Sequence, residues 1–142
     1  MTDEATLQDI PGGRALLDWF GSVHRFHDAE LLEIDLNSKG PSTLRIHTWR
    51  MTDKVDARGY FELDKHVVVT ITLEGVTDIS LAEFNLPGII FDLEVTTTDE
   101  STQSPWNRSS IQLTWSGSYG VAGTLRAKTA RFDLQPGKPA GG

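Results

Sequence analysis

The sequence predicts a mainly β domain, either a curved antiparallel sheet or a partly open barrel or sandwich, of six to seven strands with one short N-terminal helix. Three observations support this fold class. Apolar residues alternate at period two after Ala29, which is typical of strands with one buried face. Turn-forming residues interrupt the alternation at short intervals. The 142 residues are too few for two cores of ordinary size, so we expect one domain.

The predicted helix covers residues 14–20. Leu16, Leu17 and Phe20 lie on one side of it, and Gly21 follows where the end of a helix often needs a positive φ. The segment is short, so packing must hold it in place.

The strand positions follow from the alternation. The expected inward residues are Leu32, Ile34 and Leu36; Leu44 and Ile46; Val67, Val69, Ile71 and Leu73; Phe91, Leu93 and Val95; Ile111, Leu113 and Trp115; and Leu125 and Ala127. A further short strand is expected at Ile79 and Leu81, and a polar loop at residues 52–58. Phe132 and Leu134 change the parity of the last strand, which predicts a β-bulge near Thr129-Ala130.

Both ends of the chain are rich in residues that disfavour regular structure. Pro11, Gly12 and Gly13 stand near the start, and Pro and Gly dominate residues 136–142. We therefore expect flexible tails at residues 1–13 and 135–142, and one folded domain at residues 14–134.

Compartment and membrane association are inferred from what the sequence lacks. It contains no cysteine, so it forms no disulfide and no thiolate metal site. The first basic residue is Arg14 and no apolar run accompanies it, which argues against a signal peptide. No stretch approaches the roughly 20 apolar residues of a membrane span. We expect a cytoplasmic protein with no membrane partner.

The negative charge is concentrated in the first quarter of the sequence. The formal net charge is −7, and residues 1–35 carry eight acidic and two basic side chains. Such a balance disfavours nucleic acid, which is bound through clustered Lys and Arg, and it suits a basic protein partner. The last acids of this segment are candidate partner-binding residues: Asp28, Glu30, Glu33 and Asp35.

A second group of candidate partner-binding residues lies on the next strand. Arg45, His47 and Trp49 alternate with Leu44 and Ile46, so they are expected on the outward side. Trp beside Arg is a combination enriched at protein interfaces. In the alternative interpretation, the 52–58 loop or a second sheet covers the tryptophan.

A metal site is conceivable only in one short segment. His24, His27, Asp28 and Glu30 are potential ligands within seven residues, but neither a helix nor a strand brings all four together. These residues are more typical of a helix-to-strand junction whose carboxylates accept backbone hydrogen bonds.

Acid–base chemistry has one candidate pair of carboxylates. Asp92 and Glu94 would share one side of a strand, where an ion pair with Arg126 or Lys128 is the competing explanation. No nucleophile elbow or phosphate loop is found, so we predict no catalytic residue and no cofactor.

Five short motifs lie between residues 19 and 123, within a resemblance that extends over residues 19–134. They are Trp19-Phe20-Gly21, Phe26-His-Asp-Ala-Glu-Leu31, Leu44-Arg-Ile-His47, Phe84-Asn85 and Tyr119-Gly-Val-Ala-Gly123. Together they resemble the bacterial immunity proteins known as immunity protein 50. The resemblance implies a mainly β, non-enzymatic protein that neutralises a cognate toxin of a polymorphic toxin system by binding it. It assigns no residue to toxin contact.

Two other functions remain open from the sequence. The first is a small metal-binding domain or metal-dependent enzyme that uses the cluster His24, His27, Asp28 and Glu30. The second is a small-molecule carrier, which would need a cavity inside the curved sheet.

Overall fold

The computed structural model describes residues 4–97 and 111–139. Within these residues the protein is mainly β, as predicted, with eight antiparallel strands in one open sheet and two short helices, where six to seven strands and one helix were expected. The elements are α1 (Glu4–Gln8), α2 (Gly13–Phe20), β1 (Glu30–Asp35), β2 (Ser42–Val55), β3 (Phe61–Glu74), β4 (Asp78–Ala82), β5 (Gly88–Thr97), β6 (Ile111–Tyr119), β7 (Ala122–Ala127) and β8 (Thr129–Pro136).

The strands follow the order β4-β7-β6-β5-β1-β2-β3-β8 across the sheet. The chain bends between β3 and β4 and again between β7 and β8, and these two bends lie next to each other. There the N–H of Thr77 donates to the carbonyl of Arg126 at 2.9 Å, and the N–H of Lys128 donates to the carbonyl of Glu74 at 3.0 Å. The β3–β8 ladder therefore passes directly into the β4–β7 ladder, and the sheet curls around one core.

The bend between β7 and β8 accounts for the change of parity near the last strand. Lys128 stands alone between β7, which pairs with β4 and β6, and β8, which pairs with β3. Ala127 and Ala130 are both buried on either side of it. The predicted β-bulge at Thr129-Ala130 is thus wrong, because a change of strand partner at Lys128 accommodates the extra residue.

The period-two pattern is confirmed in the centre of the sheet. The inward residues of β2, β3 and β6 are buried as predicted: Leu44, Ile46, Val67, Val69, Ile71, Leu73, Ile111, Leu113 and Trp115. Burying such a side chain contributes about 1.5–3 kcal/mol each, so these strands supply much of the stability. The indole N–H of Trp115 donates to the carbonyl of Val121 at 3.0 Å, which satisfies its one buried polar group.

Two register shifts change which residues face the core. A shift between Leu31 and Glu33 turns Leu31, rather than the predicted Leu32, fully inward. A second shift between Ile90 and Asp92 buries Ile90 and leaves Phe91 half exposed, against its predicted inward position. A bulge inserts one residue into a strand and thereby reverses the alternation beyond it.

The helix α2 matches its prediction within one residue. Its C-terminus is capped by Gly21, whose φ is 77° and whose N–H donates to the carbonyl of Leu17 at 2.7 Å. The residues before it differ from the expected tail, since residues 4–8 form α1 and both Leu7 and Ile10 are buried. The carbonyl of Pro11 accepts a hydrogen bond from Phe132 in β8 at 2.8 Å.

The folded unit therefore extends beyond residues 14–134 at both ends. At the C-terminal end β8 runs to Pro136, and the N–H of Gly137 donates to the carbonyl of His66 at 2.7 Å. Residues 1–3 and 140–142 of the expected tails lie outside the described residues.

Strands β2 and β3 extend past the rest of the sheet as a hairpin, which we call the arm (residues 50–64). The predicted 52–58 loop is shorter than expected, because β2 continues to Val55 and β3 begins at Phe61. At the tip, the carboxylate of Asp56 accepts hydrogen bonds from the N–H groups of Arg58 (2.8 Å) and Tyr60 (3.1 Å). Cross-strand pairs and this turn keep the arm paired without a core.

Candidate functional site

Six of the seven candidate partner-binding residues lie on one surface. Across the β1–β2 ladder, Glu30 faces His47, Glu33 faces Arg45 and Asp35 faces Thr43. Directly opposed residues point to the same side of a sheet, and here that side is opposite to the buried Leu44 and Ile46. We call this surface the polar face and define it by Glu30, Glu33, Asp35, Arg45, His47 and Trp49.

The polar face depends on the bulge in β1. Strict alternation would place Glu30 and Glu33 on opposite sides of the strand. The register shift between Leu31 and Glu33 brings them to the same side. One irregular residue thus aligns three carboxylates along β1.

A chain of hydrogen bonds crosses the polar face. The carboxylate of Glu30 lies 2.7 Å from Nδ1 of His47, and Nε2 of His47 lies 3.0 Å from Nδ1 of His66. The two imidazole rings stack with centroids 5.2 Å apart. The side chain of His47 is only 8% exposed, so a partner would reach it through its neighbours rather than directly.

The environment of His66 disfavours its charged form. Burial has the largest effect and lowers the pKa of His66. The nearby His47 and Lys138 lower this pKa further, whereas Asp64 raises it. Two stacked imidazoles resist carrying two positive charges at once.

Trp49 packs beside these histidines and is half buried. Its ring centroid lies 4.9 Å from that of His47 and 5.9 Å from that of His66. The arm continues along the strand from Trp49 instead of folding back as the predicted covering loop. The indole therefore keeps part of its surface on the polar face.

The carboxylates of β1 are more accessible than His47. Glu33 lies 3.8 Å from Arg45 in an exposed ion pair, and Asp35 accepts a hydrogen bond from the amide of Asn37 at 3.3 Å. Exposed ion pairs contribute only about 0–1 kcal/mol, so these groups can exchange their present contacts for those of a partner.

Asp28 is the one candidate outside the β1–β2 ladder. It precedes β1 with a φ of 65°, and its N–H donates to the carbonyl of Ile90 at 2.8 Å. Its carboxylate lies 3.6 Å from Nε2 of His27. It belongs to the junction between α2 and β1.

The four potential metal ligands do not converge. His24 stacks on Phe20 at 3.8 Å and hydrogen-bonds Thr48 at 2.5 Å, and burial lowers its pKa to about 4. His27 hydrogen-bonds the carbonyl of Phe91 at 2.9 Å, and Glu30 turns to His47. Within residues 4–97 and 111–139, no group of three or more His, Asp or Glu side chains is placed to hold a metal ion.

On β5, Asp92 has a different partner from those expected. Asp92 forms an ion pair of 3.2 Å with Arg25, which precedes β1. The guanidinium of Arg126 donates instead to Gln112 at 2.9 Å. The hydrogen bond and charge of Asp92 raise the pKa of Arg25.

Sequence reasoning missed His66. The residue directly precedes the clearest strand of the sequence and has the outward parity relative to Val67, which was the available signal. Its contact with His47 depends on the β2–β3 register, and 19 residues separate the two histidines.

Comparison of the chain with family models, with curated proteins and with solved structures finds no significant match in any of the three. Among the described residues, no helix has the length and apolar character required to cross a membrane.

Proposed function

We propose that this protein is a non-catalytic binding protein of the immunity type, which neutralises a cognate bacterial toxin through direct contact with the polar face. The observation that carries the proposal is the alignment of Glu30, Glu33 and Asp35 on one side of β1, next to Trp49 on β2. The resemblance of the five sequence motifs to immunity protein 50 is the second support for it.

The charge of this surface suits a basic partner. Carboxylates aligned along a strand raise the local negative potential, which steers a positively charged protein towards them and speeds association. A toxin whose basic cleft binds nucleic acid would bind this row of carboxylates in place of phosphate groups. The proposed toxin is therefore one with a basic active-site cleft.

Trp49 supplies the aromatic contact of the proposed interface. Tryptophan is among the residues that contribute most to binding when it is covered, and Trp49 is already held in position by two imidazole rings. Holding the ring in place reduces the conformational entropy lost on binding.

Co-expression with the toxin domain encoded beside this chain's gene tests the proposal. The wild-type protein should restore growth and form a complex that survives purification. The double substitution Glu33→Lys with Asp35→Lys should weaken binding by about tenfold or more and make it less sensitive to salt.

A matched control changes charge by the same amount elsewhere. Asp9, directly after α1, and Asp18, in α2, are both exposed, and Asp9→Lys with Asp18→Lys should leave affinity within about threefold of the wild type. Failure of the wild-type protein to bind or rescue would refute the proposed function. Equal losses in both double variants would show that net charge, rather than the polar face, drives binding.

A further inference from the structure

The arm carries a stripe of exposed apolar side chains. Met51 is paired with Leu63, and Val55 with Phe61, so these four point to one side of the hairpin. All are substantially exposed, at 56%, 42%, 57% and 54% respectively, and Tyr60 at the tip reaches 68%. A cluster of large apolar residues in water marks an interaction site more often than a structural element.

The stripe continues the polar face. The register shift between Thr48 and Arg50 adds its extra residue to β3, so alternation along β2 places Met51 on the side of His47 and Trp49. The shift between Met51 and Val55 adds two residues to β2, an even number, so Val55 keeps that side. Met51 and Val55 therefore extend the row begun by His47 and Trp49. The result is one surface with an acidic half on β1 and an apolar half on the arm.

No strand flanks the arm in the part of the chain that the structure describes. The β1–β2 ladder begins at His47, and the β3–β8 ladder ends at Val67, so both lie short of the arm. On the opposite side of the hairpin, Arg50 makes two hydrogen bonds to Asp64, of 2.9 and 2.6 Å. The arm thus has one exposed apolar side and an opposite side on which Arg50 and Asp64 pair with each other.

Charge distinguishes between two possible occupants of this surface. A second copy related by two-fold symmetry would contact the same surface with each half against the other half, so that Glu33 and Asp35 of one copy would lie on the apolar arm of the other. Burying carboxylates against apolar side chains without a cation disfavours that arrangement. A basic protein with an apolar cleft satisfies both halves at once.

We infer that the arm is the apolar anchor of the toxin-binding surface: it inserts Met51, Val55, Phe61 and Leu63 into an apolar cleft of the toxin, and the acidic row on β1 meets basic residues at the rim. This inference rests on the proposed function and adds the element that supplies most of the affinity. Interfaces concentrate their binding energy in a few apolar or aromatic anchors, with charged residues around them.

The test compares two double variants of the arm. Met51→Ser with Phe61→Ser removes the apolar stripe, whereas Lys54→Ser with Glu62→Ser alters the opposite side and leaves the net charge unchanged. Both should keep the far-ultraviolet circular dichroism spectrum and urea midpoint of the wild type, because none of these residues belongs to the core.

Calorimetric titration with the toxin domain encoded beside this chain's gene should show a loss of about 30-fold or more for the apolar-stripe variant. The opposite-side variant should bind within about threefold of the wild type. If the apolar-stripe variant binds normally while Glu33→Lys with Asp35→Lys does not, the arm is no anchor although the proposed function stands. No binding by the wild type would overturn both.

Sedimentation of the protein alone supplies an independent readout. We expect the wild type and the apolar-stripe variant to be monomers at micromolar concentration. A wild-type dimer that Met51→Ser with Phe61→Ser dissociates would assign the arm to a second copy and overturn the inference.

Discussion

Glu30 and His47 face each other across the β1–β2 ladder, with the carboxylate 2.7 Å from Nδ1 of the imidazole. Since a carboxylate only accepts hydrogen bonds, Nδ1 of His47 must donate. Nε2 of the same ring lies 3.0 Å from Nδ1 of His66, and one of these two nitrogens donates to the other. A single carboxylate thus fixes which ring nitrogen of His47 faces β1 and which faces His66.

The bond from Glu30 should contribute measurably to stability. Glu30→Gln weakens a charge-assisted hydrogen bond to a buried imidazole, and we expect the free energy of unfolding to fall by about 1–2 kcal/mol. Glu33→Gln is the control, because its ion pair with Arg45 is exposed and should contribute less than about 1 kcal/mol. Urea unfolding of the two variants at pH 7 measures the difference. Equal effects would contradict the structural role given to Glu30.

Acid should destabilise the protein through His24. Burial lowers its pKa from 6.5 to about 4, so the unfolded chain binds a proton between these values that the folded protein does not. The stability contributed by the neutral ring is complete above about pH 6.5 and is lost as the pH falls towards 4. The loss amounts to about 3 kcal/mol at pH 4.

The variant His24→Gln tests this pH dependence. It cannot be protonated, so its free energy of unfolding, measured by urea titration from pH 7 to 4, should fall less steeply than that of the wild type. His66, whose pKa is also lowered, gives a smaller loss of the same sign in both proteins. Parallel curves for the wild type and the variant would rule out His24 as the source.

The segment before α2 should behave as part of the domain. Leu7 is 2% exposed, and Leu7→Ala should cost about 2–5 kcal/mol through lost burial and the cavity left behind. The adjacent Gln8 is exposed, and Gln8→Ala should stay within about 0.5 kcal/mol. Thermal and urea denaturation distinguish the two. A negligible effect of Leu7→Ala would restore the interpretation of residues 1–13 as a tail.

Two glycines with similar backbone angles should respond differently to alanine. Gly12 has a φ of 82°, and an added Cβ would lie 1.8 Å from the carbonyl oxygen of Phe132. Gly59 has a φ of 87° but open space around it. We expect Gly59→Ala to cost about 1–2 kcal/mol from backbone strain alone, and Gly12→Ala to cost clearly more, since β8 must also shift. Urea midpoints of the two variants measure the difference, and similar values would mean that β8 does not pack closely against Gly12.

The part of the fold that sequence predicted well is the part with strict alternation. Val67, Val69, Ile71 and Leu73 repeat without interruption and are all buried. Positions near the bulges were misassigned, as at Phe91, because a bulge is fixed by pairing with the neighbouring strand rather than by the residue itself. The arm was missed because a two-stranded hairpin outside the core needs no alternation of buried residues.

The candidate site likewise contains residues whose positions the sequence predicted and residues whose positions it did not. The outward position of Arg45 and Trp49 was predicted correctly, because they alternate with the inward Leu44. The burial of His47 did not, because it results from Glu30 on one neighbouring strand and His66 on the other. Contacts between strands distant in the sequence depend on register, which short-range patterns do not contain.

The N–H of Phe132, in the last strand, donates to the carbonyl of Pro11, between the two helices. During synthesis α1 and α2 leave the ribosome long before residues 129–136, so Leu7 and Leu16 have no complete core to enter until translation of β8 is finished. Nascent chains of this protein should therefore depend on chaperones longer than those of a domain whose ends fold locally. A chain that loses β8 should be recognised by quality-control proteases through the apolar sides of its helices.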